Sequence, residues 1–253
     1  MADAIAVERA KISPFGWLLI SLRLVLMVGL LLICAPFYYL WRLLGLGRFW
    51  PRVFLGGVGL IAGLDITIEG RPAKSALLIA NHVSWLDIPA IAWATGSAFV
   101  GHSGLASLTL IKTLCAMNDT VFIARHDRTS VTDQVGQVRE AIADTGALTI
   151  FPEGTTSDGT GLLPFKSSLL SAVEDLSHSI PVQPVLLDYA DAPDIAWVGE
   201  EHGLDNFKRI LARARPLRLT IRFLPPLEGE ALTNRKTMAA AAREAIFGAM
   251  ADG

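Results

Sequence analysis

Charge is scarce in this chain. Only 18% of its 253 residues are Asp, Glu, Lys or Arg, and 22 basic against 24 acidic side chains leave a net charge of −2. Disorder needs low hydrophobicity with high charge, so it is excluded. The missing basic excess excludes the footprint of a nucleic-acid binder. Cysteine is nearly absent as well. Cys34 and Cys115 lie far from any Cys-x-x-Cys spacing, which excludes a disulfide framework and suits a reducing compartment. Neither His102, His126, His178 nor His202 has a nearby carboxylate at metal-ligand spacing, and there is no internal repeat, low-complexity tract or long linker. What is present is apolar: 52% hydrophobic residues and a mean hydropathy of +0.45. Ordinary soluble domains are about 25% charged, so part of this chain sits in or on a membrane.

The apolar excess is concentrated at the front. Between Phe15 and Leu44 the charges are Arg23 and Arg42. The stretch from Leu24 to Trp41 is roughly 18 residues without a charge, near the lower limit for spanning about 30 Å of hydrocarbon. It is too long for a cleaved signal peptide, and no small-x-small site follows closely. Phe37, Tyr38, Tyr39 and Trp41 cluster at its end, as interface anchors do, and Pro36 kinks the run or ends its helix. A second apolar piece, Val53 to Leu64, holds Gly56, Gly57, Gly59 and Gly63 and is too short to span alone. Basic residues flank the first run on both sides, so they set no orientation. The expectation is an N-terminal membrane-anchoring helical hairpin over residues 1–63, crossing or dipping in; a buried core hairpin is the other reading.

From residue 64 to residue 253 the texture is that of a second domain. Asp65–Glu69 alternates as a half-exposed strand, and Ala76–Ala80 is a continuous apolar run, as a buried strand is. Ala98–Val100, Thr120–Ala124, Leu148–Phe151 and Val182–Leu187 are further strands, and alternating Leu217–Phe223 reads as an outer one. Helical patterns cover Trp85–Thr95, Ser130–Asp144, Lys166–Leu176 and Asn234–Met250. The alternation predicts an α/β fold with a central mixed, largely parallel sheet flanked by helices.

Three segments carry candidate chemistry. The first is Asn81-His82-Val83-Ser84-Trp85-Leu86-Asp87, after the buried strand. On one continuous helix His82 and Asp87 would point about 140° apart. If His82 ends the strand and Ser84 caps a helix holding Asp87 in its first turn, the carboxylate can fold back onto the imidazole. That contact fixes the tautomer and leaves the other ring nitrogen as a base. Ser84-x-x-Asp87 also resembles a capping box, which needs no chemistry at all. The second is Phe151-Pro152-Glu153-Gly154-Thr155-Thr156-Ser157-Asp158-Gly159, a Gly-rich loop at a strand end: an anion site or a plain turn. The third is Arg125, with His126 and Arg128 following: an anion-binding cation or a solvated edge.

Taken together, Asn81–Asp87, Val121–Arg125, Phe151–Thr155 and Val182–Val185, in this order behind an apolar front, resemble the glycerolipid acyltransferase family, which includes the bacterial 1-acylglycerol-3-phosphate acyltransferases. The resemblance covers roughly residues 61–227 and rests on His-x4-Asp and Phe-Pro-Glu-Gly-Thr. It implies that His82 is the general base that deprotonates a lysolipid hydroxyl as it attacks an acyl thioester, with Asp87 orienting it. Arg125, Glu153, Gly154 and Thr155 would form the acceptor site, with Lys166 compensating for cations that this chain lacks. Pro184 and Val185 would line an acyl or membrane-facing wall. No metal, cofactor or covalent enzyme intermediate is implied; acyl-CoA or acyl carrier protein is the donor, and the bilayer is the other partner.

The chain departs from the family pattern at three places. Thr156 stands where many members carry arginine, Asp119 where glycine is usual, and His102 where a lysine often follows the strand. Each change removes positive charge or adds negative charge beside a phosphate site. Thr156 also resembles the pattern of members that acylate lyso-ornithine lipid, a zwitterion without phosphate. The expected acceptor is 1-acylglycerol-3-phosphate, giving phosphatidic acid at the cytoplasmic face of the inner membrane, with lyso-ornithine lipid as the alternative. A rival chemistry is a lipid esterase using Ser103, since Gly101-His102-Ser103-Gly104-Leu105 nearly matches a nucleophile elbow. The basic residues Lys208, Arg209, Arg213, Arg215 and Arg218 form a solvated face or touch an anionic bilayer or carrier protein.

Overall fold

The computed structural model describes residues 11–44, 49–102, 120–123, 131–171, 173–199 and 201–251. Two helices open the chain, α1 (Pro14–Leu43) and α2 (Phe49–Ala62). Ser13 caps α1, its Oγ accepting from the Gly16 amide at 3.1 Å, and Pro14 occupies the first turn, where its missing N–H costs nothing. Pro36 does not end this helix, which runs on to Leu43.

Helix α1 is apolar on every side, yet one stripe of it meets protein. Gly16, Ile20, Cys34 and Tyr38 are buried, Met27 packs on the core, and Leu30 lies over Gly57 of α2. These positions recur every three or four residues and so share one helical face. A Cβ at Gly57 would come within 2.5 Å of Leu30 Cδ2, so the absent side chain is what lets the two helices touch. Phe37 stacks on Trp50 at 4.9 Å and closes the far end of the pair. The opposite face of α1 shows Leu18, Leu22, Val25, Leu32 and Leu43. Thirty residues long, α1 has the length and composition to cross a bilayer. Its one central cation is spoken for: Arg23 Nη1 donates to the carbonyls of Leu211 and Arg213, both at 2.9 Å, and so fastens the anchor to the rest of the chain.

Seven strands follow: β1 (Leu64–Glu69), β2 (Ala76–Ala80), β3 (Ala98–His102), β4 (Val121–Ile123), β5 (Ala147–Ile150), β6 (Val182–Tyr189) and β7 (Leu217–Phe223). They form one mixed sheet in the order β1-β7-β6-β2-β5-β3-β4. Strand direction reverses once, between β6 and β7; all other neighbours are parallel. The alternating β7 therefore lies inside the sheet, not at its edge as its half-polar pattern predicted. Its polar residues meet both neighbours and solvent: Arg222 pairs with Glu69 of β1 at 3.1 Å and with Asp188 of β6 at 3.3 Å.

Strand β2 is buried throughout, with Leu78 and Ala80 entering one core and Leu77 and Ile79 the other. The first core takes α3 (Asp87–Thr95) and Ile20 of the anchor; the second takes α4 (Val131–Thr145) and a C-terminal helix, Arg235–Ala251. The Lys166–Leu176 segment is not the expected helix but two short 3-10 turns, Ser167–Leu170 and Glu174–Leu176. Helices Ala192–Ile195 and Gly203–Leu211 were not anticipated, although Phe207, Ile210 and Leu211 carry the helical period.

Replacing Arg23 by methionine strands two carbonyls without their charged donor. The expected cost is about 1–3 kcal/mol of stability, read as a lowered midpoint of thermal unfolding in detergent, with membrane association retained.

Candidate active site

The site is built where β2, β5 and β6 end. Asn81 ties two of these ends together, its Nδ2 donating to Leu187 O at 3.0 Å and its Oδ1 accepting from Leu187 N at 2.7 Å. The next residue, His82, lies beyond the strand, and Asp87 is the first residue of α3. Chain reversal between them brings the side chains together: His82 Nδ1 lies 2.7 Å from Asp87 Oδ2. The same oxygen accepts from the amides of Val83 at 2.7 Å and Ser84 at 3.0 Å. Ser84 contributes little as a cap; its Oγ takes only a 3.4 Å contact from Leu86 N.

The imidazole is 20% exposed, whereas the aspartate side chain is fully buried. An ionised carboxylate only accepts, so the shared proton belongs on Nδ1 and Nε2 carries the lone pair, with no hydrogen-bond partner among the described residues. One face of the ring stacks on Phe151 with centroids 4.3 Å apart. Held at edge and face, the ring presents one basic nitrogen at the partly exposed side.

The loop after β5 grips the main chain of His82. Glu153 Oε1 accepts its amide at 2.9 Å, and Ser157 donates to its carbonyl through N at 2.7 Å and through Oγ at 3.2 Å. Glu153 Oε2 accepts from Leu163 N at 3.0 Å. Glu153, expected to touch the acceptor, is thus turned inward at 1% exposure, with both carboxylate oxygens taken by main-chain amides. Burial pushes its carboxyl above the ordinary 4.5, and the two amides oppose that rise.

Gly154 and Thr155 are exposed. Gly154 has φ +69, and a Cβ there would press on Lys166 Nζ at 3.1 Å, so the lysine lies over this glycine. Thr156 turns aside and donates its hydroxyl to Trp197 O. Val185 is fully buried in the middle of β6, which makes it core and not wall. Arg125, Cys115, His126 and Ser103 lie outside the described residues. Of the basic cluster, Lys208 pairs with Asp205, Arg209 with Glu201, and Arg213 with Asp191 and Asp194, so local carboxylates absorb much of its charge. Among the described residues no set of three His, Cys, Asp or Glu comes together as a metal site.

Sequence reasoning missed Tyr189, whose hydroxyl donates to Asp87 Oδ1 at 2.7 Å. The available signal was a tyrosine ending a buried strand, since a buried phenol needs a partner.

The raised carboxyl of Glu153 has a consequence for stability. Its folded state holds the proton more tightly than its unfolded state, so its contribution declines as pH rises from 4.5 through the elevated folded value. Glu153→Gln should abolish that slope in a pH series of thermal unfolding. It should also lower kcat, because a carboxamide NH2, which only donates, replaces an oxygen that accepts a main-chain amide.

Comparison with known proteins gives a consistent answer. The family model described as Acyltransferase matches residues 65–188. The chain is 32% identical over 199 residues to lyso-ornithine lipid O-acyltransferase of Rhodobacter capsulatus, covering 75% of this chain and 71% of that protein. It is 37% identical over 140 residues to the 1-acyl-sn-glycerol-3-phosphate acyltransferase of Neisseria meningitidis, covering 53% of this chain and 54% of that protein. The crystal structure of the 1-acyl-sn-glycerophosphate acyltransferase from Thermotoga maritima has the same fold, with TM-score 0.68 at 17% identity over 93% of this chain and 95% of that one. The matched stretch takes in His82, Asp87 and the loop that clamps them, and this chain belongs to the acyltransferase family.

Proposed function

We propose that the protein is a lysolipid acyltransferase that moves a fatty acyl group from acyl-CoA or acyl carrier protein to the free hydroxyl of lyso-ornithine lipid. The observation that carries the reaction is the free Nε2 of an imidazole whose other nitrogen is held by a buried aspartate. Nε2 takes the hydroxyl proton as the oxygen attacks the thioester carbonyl. The tetrahedral adduct then expels the thiolate, which recovers that proton from the imidazolium. Asp87 keeps the tautomer and stabilises the imidazolium, as a carboxylate does beside a catalytic histidine elsewhere. A thioester is already activated, so this sequence of steps calls on neither metal nor cofactor.

The choice of acceptor rests on Thr156. In place of a guanidinium the loop carries a neutral hydroxyl, and that hydroxyl is engaged by Trp197 O. A head group without phosphate needs less positive charge, and lyso-ornithine lipid, named for the Rhodobacter relative, is of that kind. The second reading is the sn-2 hydroxyl of 1-acylglycerol-3-phosphate, favoured by the Lys166 ammonium beside Gly154 and by the Neisseria relative. In either case Gly154, Thr155, Lys166 and Arg125 are the proposed acceptor contacts.

The topology supports action on a membrane. Strands β7 and β1 run against β6, so they begin at the sheet edge where β2, β5 and β6 end. The anchor enters the domain at Leu64, hence on the same edge as His82. Soluble acyl thioesters are cytoplasmic, which puts the proposed working position at the cytoplasmic face of the inner membrane.

Three experiments test this reading. Purified protein given labelled acyl donor and both acceptors side by side should acylate lyso-ornithine lipid preferentially, and Thr156→Arg should shift preference toward the phosphate acceptor. His82→Ala should lower turnover by roughly 10²-fold or more, the scale of general-base catalysis. Labelling of Ser103 by a fluorophosphonate, with hydrolysis surviving in His82→Ala, would overturn the transferase in favour of an esterase.

A further inference from the structure

One buried ionisable group at the site has no part in the proton transfer just described. Tyr189 ends β6, is 4% exposed, and directs its hydroxyl at Asp87 Oδ1, 2.7 Å away. The aspartate therefore receives hydrogen bonds on both oxygens: Oδ2 from Val83, Ser84 and His82, and Oδ1 from Tyr189. The first three donors come from the loop that carries the histidine itself. Tyr189 is different, because it reaches Asp87 from a separate strand. The two bonds between Asn81 and Leu187 fix the ends of β2 and β6 against each other two residues earlier, which sets the phenol at this height.

We propose that Tyr189 is a positioning residue for acyl transfer, acting through Asp87 to fix the plane and the effective charge of the carboxylate that orients His82. The proposal rests on His82 being the general base. A phenol hydrogen-bonded to one carboxylate oxygen draws negative charge away from the oxygen that faces the imidazole. The imidazolium is then stabilised less than it would be by an unshared carboxylate. Burial, and after it the charge of Asp87, holds the phenol well above its ordinary range, so it remains a donor and never competes as a base. The surroundings of the dyad bear on the same balance. From the loop after β5, the Glu153 carboxylate interacts with both His82 and Asp87, and Lys166 lies over Gly154 beyond it. Helix α3 contributes Asp87 as its one ionisable residue.

The test is Tyr189→Phe, which keeps the ring and removes the donor. It should lower kcat by about tenfold, the scale of one hydrogen bond to a charged group, with KM for donor and acceptor unchanged. The acid limb of the kcat/KM profile should move to higher pH, because an unshared carboxylate raises the basicity of His82. Incorporation of 3-fluorotyrosine at position 189, a stronger donor of nearly the same size, should move that limb to lower pH. A purely structural role predicts a lowered melting midpoint with the limb in place for both variants, and that result overturns the proposal. His82→Ala is run in parallel. If it retains full activity, the general-base reading falls by itself; if it is inactive while Tyr189→Phe matches wild type in kcat and in profile, only the role of Tyr189 falls.

Discussion

A carboxylate removed from water has to be surrounded by donors, and Asp87 organises the site by meeting that demand. Its oxygens gather two amides of the loop after β2, the imidazole of His82 and the phenol at the end of β6. Each donor is held by something else in turn. The loop is pinned by Glu153 and Ser157, the ring lies against Phe151, and β6 is locked to β2 through Asn81. The basic nitrogen of His82 is therefore positioned by three strand ends and one helix start, with little left to side-chain rotation.

The second constraint is directional. A wholly parallel sheet would start every strand at the edge remote from the site. The single reversal between β6 and β7 brings the starts of β1 and β7 to the edge where the site lies. The anchor leads straight into β1, α2 packs on α3 with Gly56 against Trp93, and α3 begins with Asp87. Anchor and site are thus two or three packing contacts apart. Arg23, which flanks the uncharged run, ties α1 to the end of the Gly203–Leu211 helix through the carbonyls of Leu211 and Arg213.

Much of the fold was legible from local pattern. Continuous apolar runs gave the buried strands β2, β5 and β6, and the composition of the first sixty residues gave two apolar helices. The failures share a cause. Leu217–Phe223 alternates because one of its faces meets polar partners, and alternation alone does not distinguish an edge from a strand paired on both sides by ion-paired neighbours. Lys166–Leu176 has helical spacing, but in the structure it forms two 3-10 turns, with Lys166 N bonded to Pro152 O. Of the two effects expected of Pro36, a kink or a helix end, the second does not occur, since α1 runs on to Leu43.

The amino-acid order alone offered two readings of His82 and Asp87, a pair or a capping box, and the structure shows the pair. Five residues of separation with a strand before and a helix after leave a reversal as the arrangement in which they meet, and that is short-range geometry. The order also determined the two apolar helices at the front of the chain, since composition is a local property. Only the tertiary structure decided that Glu153 faces inward, that Thr156 turns to Trp197, and that Tyr189 completes the carboxylate. The Glu153–His82, Thr156–Trp197 and Tyr189–Asp87 contacts join residues 71, 41 and 102 positions apart. Distances of that kind are set by strand order and register, which side-chain identity along the chain does not encode one residue at a time.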